Sequence, residues 1–195
     1  MRAVASIASV TAADVVILTG PPGAGKSTTA RALAASSDRG VHLHTDDFWH
    51  WIVSGAIPPY LPDADTQNQT VLRAVRGTAF AYAQGGYTTV VDGIVGPWML
   101  PHFTSVPASP PLHYVVLRPS RDETLRRAQA RVAPGALVDA GPVLAMWDQL
   151  ADLGELERHV IDTTGQDAAQ TLAAVRAAVA SGRYVLHPTD TSPEE

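Results

Sequence analysis

A chain of 195 residues suits one domain, or one domain with a small mobile insert. Hydrophobic residues make up 46% and charged residues 17%, as in an ordinary globular protein with few extended polar faces. The net charge of −5 argues against a general nucleic-acid binder, and the absence of cysteine excludes disulfides, thiolate metal sites and a cysteine nucleophile.

The first twenty residues are mildly apolar, but Asp14 interrupts them and Val15-Val16-Ile17-Leu18 reads as a buried parallel strand rather than a leader. No stretch has the length of a membrane span, and a cytoplasmic location is expected. Directly after that strand comes Gly20-Pro21-Pro22-Gly23-Ala24-Gly25-Lys26-Ser27, which fits G-x-x-x-x-G-K-[ST] at every fixed position. An Ala-rich helix follows from Thr28. Strand, Gly-rich loop and helix together are the context in which successive backbone N–H groups can surround phosphate oxygens at a helix N-terminus. Gly20, Pro22, Gly23, Ala24, Gly25, Lys26, Ser27 and Thr28 are therefore expected to bind the phosphates of ATP. Lys26 would reach the β- and γ-phosphates, and Ser27 would hold Mg2+. Lys26 is the only lysine in the chain, so it was not placed as generic surface charge.

Val41 to Thr45 reads as a second strand ending at Asp46-Asp47, followed by a short aromatic helix from Phe48 and a proline-punctuated loop from Ile57 to Asp65. A carboxylate at the C-terminal end of a parallel strand is where phosphoryl transfer needs an acceptor-orienting base, and Asp46 is assigned that role. The simpler use of either aspartate is to cap the next helix, and one of each is expected. The spacing of Val71, Leu72, Val75, Ala79 and Tyr82 predicts an amphipathic helix over Thr66 to Gln84. Thr88 to Asp92 is a third strand. Its final carboxylate reads as a Walker B aspartate acting on Mg2+, in preference to a turn residue before Gly93.

A short helix is expected within Pro97 to Phe103, then a fourth strand from Leu112 to Leu117. Arg118, Arg121, Arg126, Arg127 and Arg131 fall within fourteen residues, and Asp122 to Arg131 is a predicted helix. Arg121 and Arg126 read as a solvated face paired with Asp122 and Glu123. Arg127 and Arg131, four apart, are assigned to transition-state charge. A helix over Val138 to Leu150, a fifth strand over His159 to Thr163, a helix over Asp167 to Ala180 and a disordered tail from His187 complete the chain. Trp49, Trp51, Tyr60 and Trp98 could wall a ring-bearing substrate, with core packing equally open for each. The seven histidines show no metal-ligand spacing and read as structural. Strands alternating with helices mean a parallel sheet covered on both faces.

With Gly20–Ser27, Asp46, Asp92 and the Arg127/Arg131 pair in this order, residues 14 to 180 resemble the P-loop kinase superfamily. Within it the arrangement is most similar to the chloramphenicol phosphotransferase-like kinases, with zeta-toxin, shikimate and gluconate kinases as cousins. The resemblance implies an α/β three-layer fold with a five-stranded parallel sheet of order 2-3-1-4-5 and a small helical lid. The domain would span 1–183, with the lid at about 121–140 and a flexible tail over 184–195. It further implies Asp46 as base, Arg127 and Arg131 as the lid pair, and the loop Asp162-Thr163-Thr164-Gly165, with Thr163 as the contact, against adenine. Phe48–Asp65 and Gly93–Pro111 depart from the family pattern, and these segments choose the acceptor. The implied activity is ATP- and Mg2+-dependent phosphorylation of a small-molecule hydroxyl, of an antibiotic or other natural product, by a monomer or homodimer without nucleic acid or membrane. A nucleoside or nucleotide kinase, or a regulatory or toxin-like nucleotide-binding module, are the alternatives.

Overall fold

The computed structural model describes residues 13–104, 110–132 and 136–186. Its centre is β1, Val15–Thr19, five residues with no exposed surface. A strand that must bury both faces tolerates only apolar or hydrogen-bonded side chains, which the sequence VVILT supplies. β1 pairs in parallel with β3, Thr88–Asp92, on one side and with β4, Leu112–Leu117, on the other. β2, Gly40–His44, flanks β3, and β5, Val160–Ile161, flanks β4. The all-parallel order is β2-β3-β1-β4-β5, as the resemblance implied.

Side-chain alternation divides the core into two layers. Val15 and Ile17 pack with Val71, Leu72 and Val75 of α3, Asp65–Gln84, and with Phe103 of the short helix α4, Pro101–Thr104. Val16 and Leu18 face the opposite way, onto Ala30 and Leu33 of α1, Lys26–Ala35, and Val175 of α7, Ala168–Ala180. The buried stripe of α3 includes Phe80 in place of the expected Tyr82, which is partly exposed and stacks edge-on to Tyr87 at 5.8 Å.

Several boundaries differ from the sequence reading. β2 begins at Gly40 and turns at once into α2, Thr45–His50, so the helix starts three residues before Phe48. His44 holds the N-cap position of α2, and Asp46 and Asp47 lie in its first turn. The expectation that one aspartate caps this helix is therefore corrected. β5 is only two residues long because His159 belongs to a 3-10 turn over Gly154–His159. The first half of β4 would then lack a partner on the side away from β1, and buried backbone groups must find one. Residues 184–186 supply it: Tyr114 N donates to the Tyr184 carbonyl and Leu186 N to the Leu112 carbonyl. The expected flexible tail from 184 is thus corrected for these three residues, and Leu186 is buried. The expected disorder from His187 falls outside the described residues, as do residues 1–12.

α5, Arg121–Gln129, lies within the segment 121–140 where a lid was expected, and α6, Ala140–Asp148, begins at its end. Ser120 caps α5 through Glu123 N at 3.3 Å. The helix stops at Gln129, so Arg131 lies beyond it, and the expected helical pair of Arg127 with Arg131 is corrected. Among the described residues no helix is long and apolar enough to cross a membrane.

Candidate active site

The loop from Gly20 to Gly25 joins β1 to α1 at the carboxyl edge of the sheet, where open parallel sheets bind ligands. Gly25 holds the N-cap of α1 in the left-handed region, φ 89°, with open space where a Cβ would stand. The loop backbone there is free to approach a phosphate, and the helix N-terminus behind it favours negative charge. Gly23 is also left-handed, φ 85°, for a different reason. A Cβ on it would meet Ala128 N and Thr124 O at 2.8 Å, so the loop packs directly against the backbone of α5. Lys26 Nζ crosses the loop to the Pro21 carbonyl at 3.0 Å.

Three other predicted residues bear on the charge of Lys26. Burial lowers its ammonium to about 8; Asp92 and then Asp46 pull the value back up, and Arg131 pushes it further down. The two carboxylates are linked by contacts: Ser27, next to Lys26 in the chain, donates to Asp92, and His44 lies 3.2 Å from Asp92 and 3.5 Å from Asp46. Asp46 is 62% exposed on the first turn of α2, with its carboxylate 3.5 Å from His44 Nε2. Arg131 is exposed.

Asp92 ends β3 with no exposed surface, and Ser27 Oγ donates to its Oδ2 at 2.6 Å. A hydroxyl and a carboxylate in contact at the foot of the phosphate loop are hard oxygen donors of the kind Mg2+ takes. Among the described residues no group of three or more His, Asp or Glu side chains is arranged to hold a metal unaided. That suits Mg2+, which is commonly held by one or two protein oxygens together with substrate phosphates. Gly93 next to Asp92 is a packing requirement, since Thr45 Oγ1 lies 1.8 Å from where its Cβ would be. Beyond it, Val95 N donates to Thr19 Oγ1 at 2.9 Å and Tyr114 donates its hydroxyl to the Val95 carbonyl at 2.8 Å, which fixes the loop after β3.

Arg127 is engaged elsewhere. Its Nε donates to Glu123 at 2.6 Å and its terminal nitrogen donates to the carbonyls of Thr163 and Gln166 at 3.1 and 2.9 Å. The guanidinium thereby ties α5 to the loop after β5, the loop read as adenine-facing. Arg126 shares Glu123, and the two arginines hold that carboxyl down at about 2. Arg121 pairs with Asp148 at 3.2 Å rather than with Asp122. Thr163 is fully buried, so its side chain is turned away from the loop surface. The exposed residues there are Asp162, Thr164 and Gly165, and a base lying on this loop would meet those. Asp162 accepts from Thr164 N and Oγ1, which sets the turn.

Of the four aromatics, Trp51 lines a cavity of about 650 Å³ between α2 and α3, together with Phe48, Ile52, Ile57 and Gln67. Phe48 and Trp51 have ring centroids 4.5 Å apart. Trp49 donates to Asn68 Oδ1 and packs on the core. Trp98 folds over Gly96, and Tyr60 is exposed. Two site residues were missed at the sequence level. His42 Nε2 lies 2.5 Å from Asp92 Oδ1, and His44 Nδ1 lies 3.2 Å from both oxygens of the same carboxylate. The available signal was their spacing of two at the end of a strand, which places both on one face.

Comparison with known proteins agrees with this geometry. A sugar kinase from Janibacter sp. HTCC2649 superposes with a TM-score of 0.63 at 20% identity, covering 93% of this chain and 99% of that one. The tunicamycin resistance protein of Deinococcus radiodurans superposes at 0.58 and 19% identity, covering 90% and 99%. A chain of the Pnkp1/Rnl/Hen1 RNA repair complex matches at 0.57 and 20% identity; 72% of this chain covers only 45% of that one. No match was found among curated protein sequences. A family model described as an AAA domain matches residues 15–155. That match takes in well over half of the chain, and the protein belongs to the family it describes, the AAA domain.

Proposed function

We propose that the protein transfers the γ-phosphoryl group of ATP to a hydroxyl of a small molecule. The observation that carries this reading is the placement of Asp46, an exposed carboxylate in the first turn after β2 that lies 3.5 Å from His44, whose other ring nitrogen meets Asp92 at 3.2 Å. A nucleotide switch has no need of such a carboxylate, whereas phosphoryl transfer needs one beside the acceptor hydroxyl. In the reaction the acceptor oxygen bonds to the γ-phosphorus, the bond from that phosphorus to the β,γ-bridging oxygen breaks, and ADP leaves. The hydroxyl proton passes to Asp46 and then to solvent. Lys26 and the loop N–H groups hold the phosphates, and Arg131 meets charge developing on the transferred group. Ser27 and Asp92 are the residues that would hold Mg2+, which supplies neutralisation of phosphate charge when bound.

The cavity beside α2 supports an acceptor with an apolar or ring-bearing body, because Phe48 of α2 and Trp51 at its C-terminal end line it, and the same helix carries Asp46. The likeness to a tunicamycin resistance protein is compatible with an antibiotic or other natural product as acceptor. In this reading the protein acts in the cytoplasm on its small-molecule substrate alone, as a monomer or homodimer. The test is a transfer screen against hydroxylated metabolites and antibiotics, read by mass spectrometry. A phosphorylated product whose formation needs both ATP and Mg2+ is expected. ATP turnover that proceeds without any acceptor and ignores Asp46→Asn would overturn the assignment.

A further inference from the structure

Asp92 is a carboxylate with no exposed surface, and such a group is costly unless hydrogen-bond donors surround it. Its donors are unusual in number and origin. Ser27 supplies one from the phosphate loop, at 2.6 Å to Oδ2. The other two are imidazoles from the neighbouring strand. β2 and β3 are parallel with His44 directly beside Asp92, and His42, two residues earlier, presents its ring to the same face. His42 Nε2–H donates to Oδ1 at 2.5 Å, while His44 Nδ1–H spans Oδ1 and Oδ2, each at 3.2 Å. Each carboxylate oxygen therefore has a donor fixed to the sheet, independent of the phosphate loop. His44 also faces outward, with Nε2 3.5 Å from Asp46.

We propose that His42 and His44 are positioning residues that clamp the Asp92 carboxylate in the orientation its metal role requires. The inference rests on the reading of Asp92 and Ser27 as the Mg2+ side of the site. Groups that hydrogen-bond a metal-binding carboxylate fix its direction, and losing one commonly weakens metal affinity by about 10–100-fold. Two histidines serving only to fill the β2–β3 junction would contribute to stability and leave metal affinity untouched.

The experiment is calorimetric binding of ATP to the full chain over a series of Mg2+ concentrations, with the thermal midpoint recorded for every variant. Asp92→Asn is the control and should raise the Mg2+ concentration for half-maximal ATP binding. His42→Ala should raise it about tenfold or more, with ATP binding in the absence of Mg2+ unchanged. His42→Gln, whose amide nitrogen can reach the position of Nε2, should return it to within about threefold of wild type. His42→Asn is polar but too short and should not. For His44, Asn is the matched replacement for Nδ1 and should recover what His44→Ala loses. Because Gln and Asn at position 42 are both polar, their comparison decides the matter even if the alanine variant does not fold. A normal Mg2+ midpoint in the His42 and His44 variants alongside a shifted Asp92→Asn overturns the clamp, as do equal shifts for His42→Gln and His42→Asn. A normal midpoint in Asp92→Asn overturns the metal reading, and the clamp with it.

Discussion

Raising the pH should weaken ATP binding through one residue. Burial holds the Lys26 ammonium at about 8, against an ordinary lysine value of 10.5. A bound triphosphate puts several negative charges beside it, which favours the ammonium and raises its value again. Binding therefore takes up a proton wherever the free protein has lost one. Affinity is full below about pH 8 and falls as pH rises through that value. At pH 9 roughly ten of every eleven free molecules carry a neutral lysine, so Kd should be about tenfold larger than at pH 7. The terminal phosphate of the nucleotide is already ionised over this window and adds little. Stability moves the other way. The folded value lies below the unfolded one, so between 8 and 10.5 the unfolded chain binds more protons and stability rises with pH. Calorimetry in two buffers of different ionisation enthalpy reads both Kd and proton uptake. Lys26→Arg, whose guanidinium does not titrate here, should give weaker but pH-independent binding. A Kd that is flat from pH 7 to pH 9.5 in the wild type would refute the reasoning, because Lys26 would then not meet the triphosphate.

Gly23→Ala should cost roughly 2–4 kcal/mol, from a left-handed Cβ and its collision with the backbone of α5. In a chain of this size the fall in Tm should be about 5–15 °C, and an unchanged Tm would detach the phosphate loop from α5. Arg127→Ala removes the link from α5 to the Thr163 and Gln166 carbonyls, so ATP affinity and Tm should fall while kcat at saturating ATP changes little; a large loss of kcat alone would restore it to the transition state. Arg131→Ala should instead lower kcat by about a hundredfold, on the scale of one lost transition-state donor. Trp51→Ala should raise KM for the acceptor with ATP affinity unchanged, and an unaffected KM would remove the α2–α3 cavity from substrate binding.

What the sequence made legible follows from which signals are local. β3 and β4 begin and end where the sequence reading placed them, Thr88–Asp92 and Leu112–Leu117, because each is a short β-prone run bounded by glycine or proline. The phosphate loop was equally plain, since its spacing is fixed by backbone geometry. Arg131 was placed on a helix because four-residue spacing continues past Gln129, and periodicity does not say where a helix stops. Thr163 lies in a loop, where no period tells whether a side chain turns in or out. The spacing of His42 and His44 puts them on one face of β2, but their meeting with Asp92 depends on β2 lying beside β3, a fact of sheet order that neither strand encodes alone. Residues 184–186, Tyr-Val-Leu, are too short a run to read as a strand and pair with β4 on the edge that the two-residue β5 leaves open.

The central claim is that Asp46 accepts the proton of a hydroxyl during phosphoryl transfer. Its most direct test is single-turnover transfer by Asp46→Asn and Asp47→Asn, each also measured for ATP affinity. Asparagine keeps the shape and removes the proton-accepting charge. The account predicts that Asp46→Asn lowers transfer by roughly two to four orders of magnitude and leaves ATP affinity within a few-fold of wild type. Asp47 lies in the first turn of α2 without capping it, so its replacement should cost about 0.3–1 kcal/mol of stability and little activity. Wild-type transfer by Asp46→Asn would contradict the account, and loss of transfer in Asp47→Asn alone would move the base by one residue.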